Sequence, residues 1–493
     1  MGEGKKLRKR SEIDDKFKWA IEDLYGSDEE WRAEFDQVKE MAGRLTEYKG
    51  RLSESADTLL NFLSFSDEIS MLEERVYVYA NQRYHEDTGN AVYQDLSDKA
   101  SNLSVYISGQ SSFAVPEILE MPSDVIEDYL NSDNGIQVYK IYIDEILRKK
   151  DHVLTAEMEE LLANTGEVCE APKNIFSMFN NADIKFADIK DENGEEVSVT
   201  HGRFYSFLVN RDRRVRKDAF ESVYSTYDKF KNTLAATFSA NIKKDIFYAK
   251  ARKYPSTIAM RLNGSNVPIS VYDNLIEAVH ENLPLLHRYV ALRKRVLGLD
   301  ELHMYDLYLP MVSDLDKKID FEEAKNTVMK GLEPLGEVYQ SILREGFENR
   351  WIDIYENEGK RSGAYSWGAY GTHPYVLMNY EDNINNLFTL AHEMGHAIHS
   401  YSSDEAQPYV YAGYKIFVAE VASTCNEALV MEHLLENTTD KKEKAYLINY
   451  FLEQFRSTLY RQVMFAEFEK KVHQMAEEGI GLTSESLSQV YYD

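Results

Sequence analysis

Residues 391–399 read Ala-His-Glu-Met-Gly-His-Ala-Ile-His, and within them His392-Glu393-Met394-Gly395-His396 forms an H-E-x-x-H pentapeptide. On a helix, positions i and i+4 lie one above the other on the same face. Two imidazoles at that spacing can grip one zinc ion from one side, and the glutamate after the first histidine can reach a metal-bound water. In a chain with 12 His among 493 residues, so short a pattern also arises by chance, at roughly a few per cent. The alternative is a surface helix with two ordinary histidines. Context favours the metal. Leu387, Leu390, Ala391, Met394 and Ile398 recur at three- and four-residue spacing, which is helical periodicity. Asp382, Asn385 and Asn386 offer helix-start residues just upstream.

A catalytic zinc has three protein ligands and an open position, so a third ligand is required. His399 is nearest, but at about 1.5 Å rise per residue it lies about 10 Å along the axis from His392. A ligand from a second helix is physically easier. The segment Ile416-Phe-Val-Ala-Glu-Val-Ala-Ser-Thr-Cys-Asn-Glu-Ala-Leu follows a turn-like stretch at 402–408 and a Tyr/Gly-rich loop. Its apolar residues recur with helical spacing, and Glu420 and Glu427 fall near one face. Most glutamates are solvated surface groups. Glu420, however, is flanked by Phe417, Val418, Val421 and Ala422, which predicts buried surroundings, and a buried carboxylate needs a cation or a metal. Glu420 is therefore the expected third ligand, His399 the fallback, and Glu427 a group orienting one histidine from behind.

Four stretches carry a family likeness: Gly359-Lys-Arg-Ser-Gly-Ala-Tyr-Ser-Trp-Gly, Gly371-Thr-His-Pro-Tyr-Val-Leu-Met-Asn, Ala391-His-Glu-Met-Gly-His-Ala-Ile-His-Ser and Phe417-Val-Ala-Glu-Val-Ala-Ser-Thr. In these the chain resembles bacterial oligoendopeptidase F, in the thimet oligopeptidase family of zinc metallopeptidases, and the likeness runs from near the N-terminus to the last residue. The resemblance supports Glu420 over His399. It implies a mainly α, clam-like architecture around a deep channel, with zincin-type catalytic helices and a small β-sheet beside the active site. It also implies a soluble, cytoplasmic enzyme with one Zn²⁺ per chain that hydrolyses internal bonds of short unstructured peptides.

The mechanism expected of such a site has Glu393 take a proton from zinc-bound water as it attacks the scissile carbonyl, then pass it to the leaving amine. Family members usually continue beyond this chain's last residue, with a Tyr- and His-containing stretch that faces the zinc. Leu482-Thr-Ser-Glu-Ser-Leu-Ser-Gln-Val-Tyr looks like a helix just starting, with Thr483 as its cap. The alternatives are therefore a catalytically impaired zinc- and peptide-binding remnant or truncated chain, and a peptidyl-dipeptidase or carboxypeptidase of similar fold.

The formal net charge is −28. Such a surface repels phosphate backbones and anionic membranes, so neither nucleic acid nor a membrane is an expected partner. Two cysteines, Cys169 and Cys425, supply no disulfide framework and no C-x-x-C pair, which fits a reducing compartment. Cys425 is expected to be a buried apolar residue. The basic N-terminus has no apolar region after it and does not read as a secretory signal. No apolar run reaches membrane-spanning length. Oligomeric state leaves no trace in the sequence.

Along the chain, residues 1–30 read as an extended arm and 31–165 as successive amphipathic helices. Residues 184–199 change period around Asn193-Gly194, a hairpin-turn pair. A domain boundary is placed there, giving an N-terminal helical domain over 1–199 and a catalytic domain over 200–493. The basic run Arg211–Lys217 is expected to be a solvated helix face. Residues 350–380 are rich in Gly, Tyr and Trp, and Pro374 stands before Tyr375-Val-Leu-Met, where a strand tolerates it. This predicts a small sheet whose edge could pair with an extended peptide. Gly371 and His373 are then candidate substrate contacts, although a structural turn explains His373 equally well. Tyr409, Tyr411 and Tyr414 lie in the loop between the two metal helices, where Tyr414 could close on substrate.

Overall fold

The computed structural model describes residues 7–132, 134–312 and 318–493. Helices dominate it, as the scarcity of proline (10 in the chain) permits. The chain divides into two compact units, each built from two separate stretches: Met1–Lys150 with Asp316–Asn437, and Asp151–Leu315 with Thr438–Asp493. The boundary expected near 200 falls inside the second unit. A turn signal is local and reports a reversal of the chain, not the edge of a core.

The hairpin itself forms. Strands β1 (Ile189–Lys190) and β2 (Glu196–Val197) pair antiparallel, Ile189 opposite Val197. Gly194 has φ +84°, a left-handed value glycine adopts without steric cost. Ile189 then packs into a buried cluster with Phe207, Val215, Ala219 and Val223 of the second unit. In the same unit the basic run is not simply solvated. Arg216 is 1% exposed and pairs with buried Asp306 at 2.8 Å, and Arg213 reaches the same carboxylate at 2.9 Å. Arg216 folds inward and Arg213 reaches in from the surface because one buried aspartate needs charge compensation. Thr483 caps the helix Ser484–Tyr492, as expected, and Leu487 of that helix packs with Ala235, Ile242 and Val472.

The first unit carries the motif. The helices Asp28–Arg44 and Ala56–Glu86 start at Ser27 and Ser55, whose hydroxyls accept from backbone N–H groups three residues on. Trp31 is fully buried, and its indole N–H donates to the Val76 carbonyl at 2.8 Å. A three-stranded sheet, β3 (Ile352–Asp353), β4 (Tyr365–Trp367) and β5 (Tyr375–Leu377), runs in the order β3-β5-β4. The central strand β5 is buried throughout, parallel to β3 and antiparallel to β4, with Ser366 opposite Val376.

The N-terminal arm lies beside β3. The Ile354 N–H donates to the Phe17 carbonyl at 3.0 Å, and the Ala20 N–H to the Arg350 carbonyl at 2.8 Å. Residues 1–6 of the expected arm lie outside the described residues. Arg10 enters between Glu86 and Asp353, while Lys360 Nζ stands 2.7 Å from Asp353. Burial would raise the Asp353 pKa, but the two cations outweigh it and hold it below the usual carboxylate value. With one side of the sheet occupied by the arm, β4 is left as the other edge.

The helix bearing the motif, hereafter the motif helix, spans Ile384–Ala406. Its cap is Asn383, one of the few upstream polar residues not anticipated; its side chain accepts from the Asn386 N–H. The helix also continues through 402–406, which had read as a turn, and ends before Pro408. A short helix, Tyr409–Ala412, leads to the glutamate helix, Ile416–Asn437.

Candidate active site

The motif helix projects His392 and His396 from one face, and the glutamate helix lays Glu420 against them. The two histidine Nε2 atoms are 3.2 Å apart, and Glu420 Oε2 lies 3.4 Å from the first and 3.5 Å from the second. Ligands placed tetrahedrally at about 2.0–2.1 Å around one zinc stand about 3.3 Å from each other. The three donors thus form a triangle of the right edge, in the N, N, O set that suits zinc. The residues fit the ion.

Glu427, further along the glutamate helix, reaches behind the first histidine: Oε1 is 2.6 Å from His392 Nδ1. With Nδ1–H donated to that carboxylate, the Nε2 lone pair is turned to the triangle. Burial opposes a positive charge on His392, but the hydrogen bond and charge of Glu427 outweigh it and raise its pKa. Burial, with His392 alongside, lowers that of His396.

The two helices come this close because of small residues. A Cβ on Gly395 would stand 2.6 Å from Ser423 Cα, so only glycine admits the crossing. Asn426, 1% exposed, fixes the register: its amide donates to the Ala391 carbonyl at 2.9 Å and accepts from the Tyr339 hydroxyl at 2.8 Å.

Glu393, next to His392 on the motif helix, is 7% exposed. Burial pushes its pKa up to about 7, Glu420 and Glu427 add to the shift, and His392 opposes it. The Ser366 backbone N–H of β4 donates to its carboxylate, while Oε2 has no protein partner. A carboxyl so placed can take or give a proton near neutrality.

Several expectations need correction. The surroundings of Glu420 are not buried: its side chain is 62% exposed, and Ile416, Phe417 and Val421 are each more than 60% exposed. The buried face of the glutamate helix is Ala419, Ser423, Asn426 and Val430, because only small side chains fit against Gly395. Glu420 joins the histidines by helix geometry, not by burial. Cys425 is likewise exposed. His399 stays out of the triangle; its ring stacks on Tyr414, centroids 3.8 Å apart. Tyr414 donates to or accepts from Ser400 at 3.0 Å. Gly371 (φ +75°) and His373 border a small pocket of about 260 Å³ with Asp23, Arg75 and Tyr375. His373 is pinned there, Nδ1 to the Pro374 carbonyl at 2.8 Å and Nε2 to Asp23 at 3.1 Å, with its ring parallel to Trp351. That is a structural setting. Ser366, Gly395 and Asn426 were not singled out in advance. A backbone donor leaves no mark on side-chain pattern, whereas a glycine inside a helical motif could have marked a close crossing.

A helical scaffold with this constellation defines a peptidase. Peptidase family M3 matches residues 206–493, and the oligopeptidase F family matches residues 117–186. The chain belongs to peptidase family M3, in its oligopeptidase F branch. It is 51% identical to oligopeptidase PepF of Bacillus subtilis, across 100% of this chain and 74% of that protein. It is 41% identical to an oligoendopeptidase F homolog of Lactococcus lactis, across 98% and 80%. Among solved structures, oligoendopeptidase F from Enterococcus faecium superposes with a TM-score of 0.68 at 37% identity, covering 94% of this chain and 80% of that one. A Chlamydophila abortus protein does so with a TM-score of 0.91 at 33% identity, covering 99% and 82%. Among the described residues, no helix is long and apolar enough to cross a membrane.

Proposed function

We propose that this chain is a zinc-dependent endopeptidase that hydrolyses internal bonds of short, unstructured oligopeptides, with Glu393 as general base. The observation that carries this is the convergence of His392, His396 and Glu420 on one point, with Glu393 next to the first histidine on the same helix. Bound by those three residues, one zinc ion would supply a Lewis acid that polarises a carbonyl and acidifies water.

The protein's own part is positioning and proton transfer. The Glu393 carboxylate accepts the proton of the attacking water and delivers it to the departing amine. The Ser366 N–H, bonded to the Glu393 carboxylate, keeps that group aimed while its charge changes. The edge strand β4 offers its backbone to an extended peptide, as strand-adding recognition requires. The exposed Ile416, Phe417 and Val421 lie on the Glu420 helix, where apolar substrate side chains would cover them. Short peptides are the partners this supports, and the two free cysteines agree with a cytoplasmic setting.

The test is cleavage of a quenched fluorescent peptide of about ten residues, a size for a deep cleft, blocked at both ends. Internal cleavage should stop with a chelator and in Glu393→Gln, which should still bind zinc. Cleavage only of peptides with a free terminus would replace this proposal with an exopeptidase.

A further inference from the structure

The first unit contains a cavity of about 700 Å³ whose wall begins at Ser366, the residue whose backbone holds Glu393. Trp367, Tyr370, Tyr409 and Tyr414 give it aromatic sides. Three carboxylates face it from separate places in the fold: Asp67 and Glu74 on the helix Ala56–Glu86, and Asp404 near the end of the motif helix. Among the described residues that line it, none is Lys, Arg or His.

Asp353, by contrast, meets Arg10 and Lys360, and Glu86 meets Arg10 and Arg83. Among the described residues, Asp67 in the cavity has only the Tyr139 hydroxyl at 2.8 Å and Glu74 only the Tyr370 N–H at 3.1 Å. Asp404 has neither an ion pair nor a hydrogen bond among the described residues. Burial, first, and neighbouring carboxylates push Glu74 and Asp404 each up to about 6, as expected where negative charge lacks compensation.

We propose that this cavity is a subsite for a cationic group of the peptide substrate, with Glu74 and Asp404 as the residues that select it. Carboxylates recognise an ammonium or guanidinium by charge-assisted hydrogen bonds, and Trp and Tyr faces add cation–π attraction. The volume and aromatic walls suit an organic cation with an aliphatic stem, not a bare ion. The group can be a Lys or Arg side chain or the peptide's free amino terminus, which share this chemistry. The inference rests on the peptidase proposal and adds the identity of one preferred side chain.

The experiment compares blocked decapeptides carrying Lys, Arg, norleucine or Glu in turn at each position around the cleaved bond, and the same peptides with a free amino terminus. Wild type should favour Lys or Arg over norleucine at one position by about tenfold in kcat/KM, the scale of one charged hydrogen bond. A preference confined to free amino termini would assign the pocket to the terminus. In the Glu74→Gln/Asp404→Asn double variant the ratio should fall toward one. Gln still accepts from the Tyr370 N–H, and if the double variant does not fold, Asp404→Asn alone is read the same way. No preference in wild type, or an unchanged ratio in the variants, overturns the proposal. If no peptide is cleaved, the peptidase proposal fails separately. The pocket is then judged by tryptophan-fluorescence titration with the Lys and norleucine peptides, where equal affinities overturn it.

Discussion

Gly395 and Ser423 meet backbone to backbone: a methyl group on Gly395 would lie 2.6 Å from Ser423 Cα and 2.9 Å from its nitrogen. This contact sets the distance between the two helices that carry the candidate zinc ligands. The second variable residue of the H-E-x-x-H pattern is thus constrained by packing, even though it binds nothing.

Gly395→Ala should therefore damage the site without touching a ligand. The helices must part by several tenths of an ångström, and overpacking of this kind costs about 1–3 kcal/mol. Glu420 would be drawn off the histidine pair. Thermal unfolding and bound zinc, measured on the same sample, should fall together. A variant of normal zinc content would show that the crossing has slack.

Glu427→Gln tests the group behind His392. The carboxylate holds Nδ1–H at 2.6 Å, and loss of such a partner lowers metal affinity by about 10–100-fold. Competition against a chromogenic chelator reads that ratio directly. An affinity equal to wild type would reduce Glu427 to a packing role.

The ligand set is separable by substitution. Glu420→Ala should lose tightly bound zinc, and His399→Ala should keep it, since His399 stacks on Tyr414 away from the triangle. Elemental analysis after dialysis decides between them. The reverse pattern would restore His399 as the third ligand.

Acid stability should depend on His85. Its Nε2 accepts from Arg361 at 2.8 Å and its Nδ1 lies 2.7 Å from the Tyr365 hydroxyl. Burial, then the Arg361 charge, lower its pKa from 6.5 to about 4. The folded state therefore resists a proton that the unfolded chain accepts. This stability is fully present above about 6.5 and is lost as the pH falls toward 4, at up to about 1.4 kcal/mol per pH unit. Urea unfolding across that window should show a shallower slope for His85→Gln than for wild type. Identical slopes would mean that His85 is protonated in the fold.

Much of the site was legible along the chain because its causes act within a few residues. Helical periodicity around His392 and His396, the turn at Asn193-Gly194 and the cap at Thr483 all follow from torsional preference and short-range hydrogen bonding. The H-E-x-x-H spacing by itself determined that two imidazoles share a face and that Glu393 lies beside them. Periodicity could not determine which face of the glutamate helix is buried. Phe417 and Val421 promised a covered Glu420, yet the covered side is the small-residue side, because Gly395 admits only close backbone contact.

Tertiary structure alone decided the rest. It brought Ser366, from an edge strand, to the Glu393 carboxylate, and Arg10 to Asp353, 343 residues away. It made each compact unit from two distant stretches. Such pairings depend on which surfaces meet after the chain has turned many times, and no local propensity encodes them. The sequence determined the helices and the chemistry each carries; packing decided that Glu420 completes the triangle, that Glu393 is held by a backbone N–H, and that three carboxylates face one cavity without a cation.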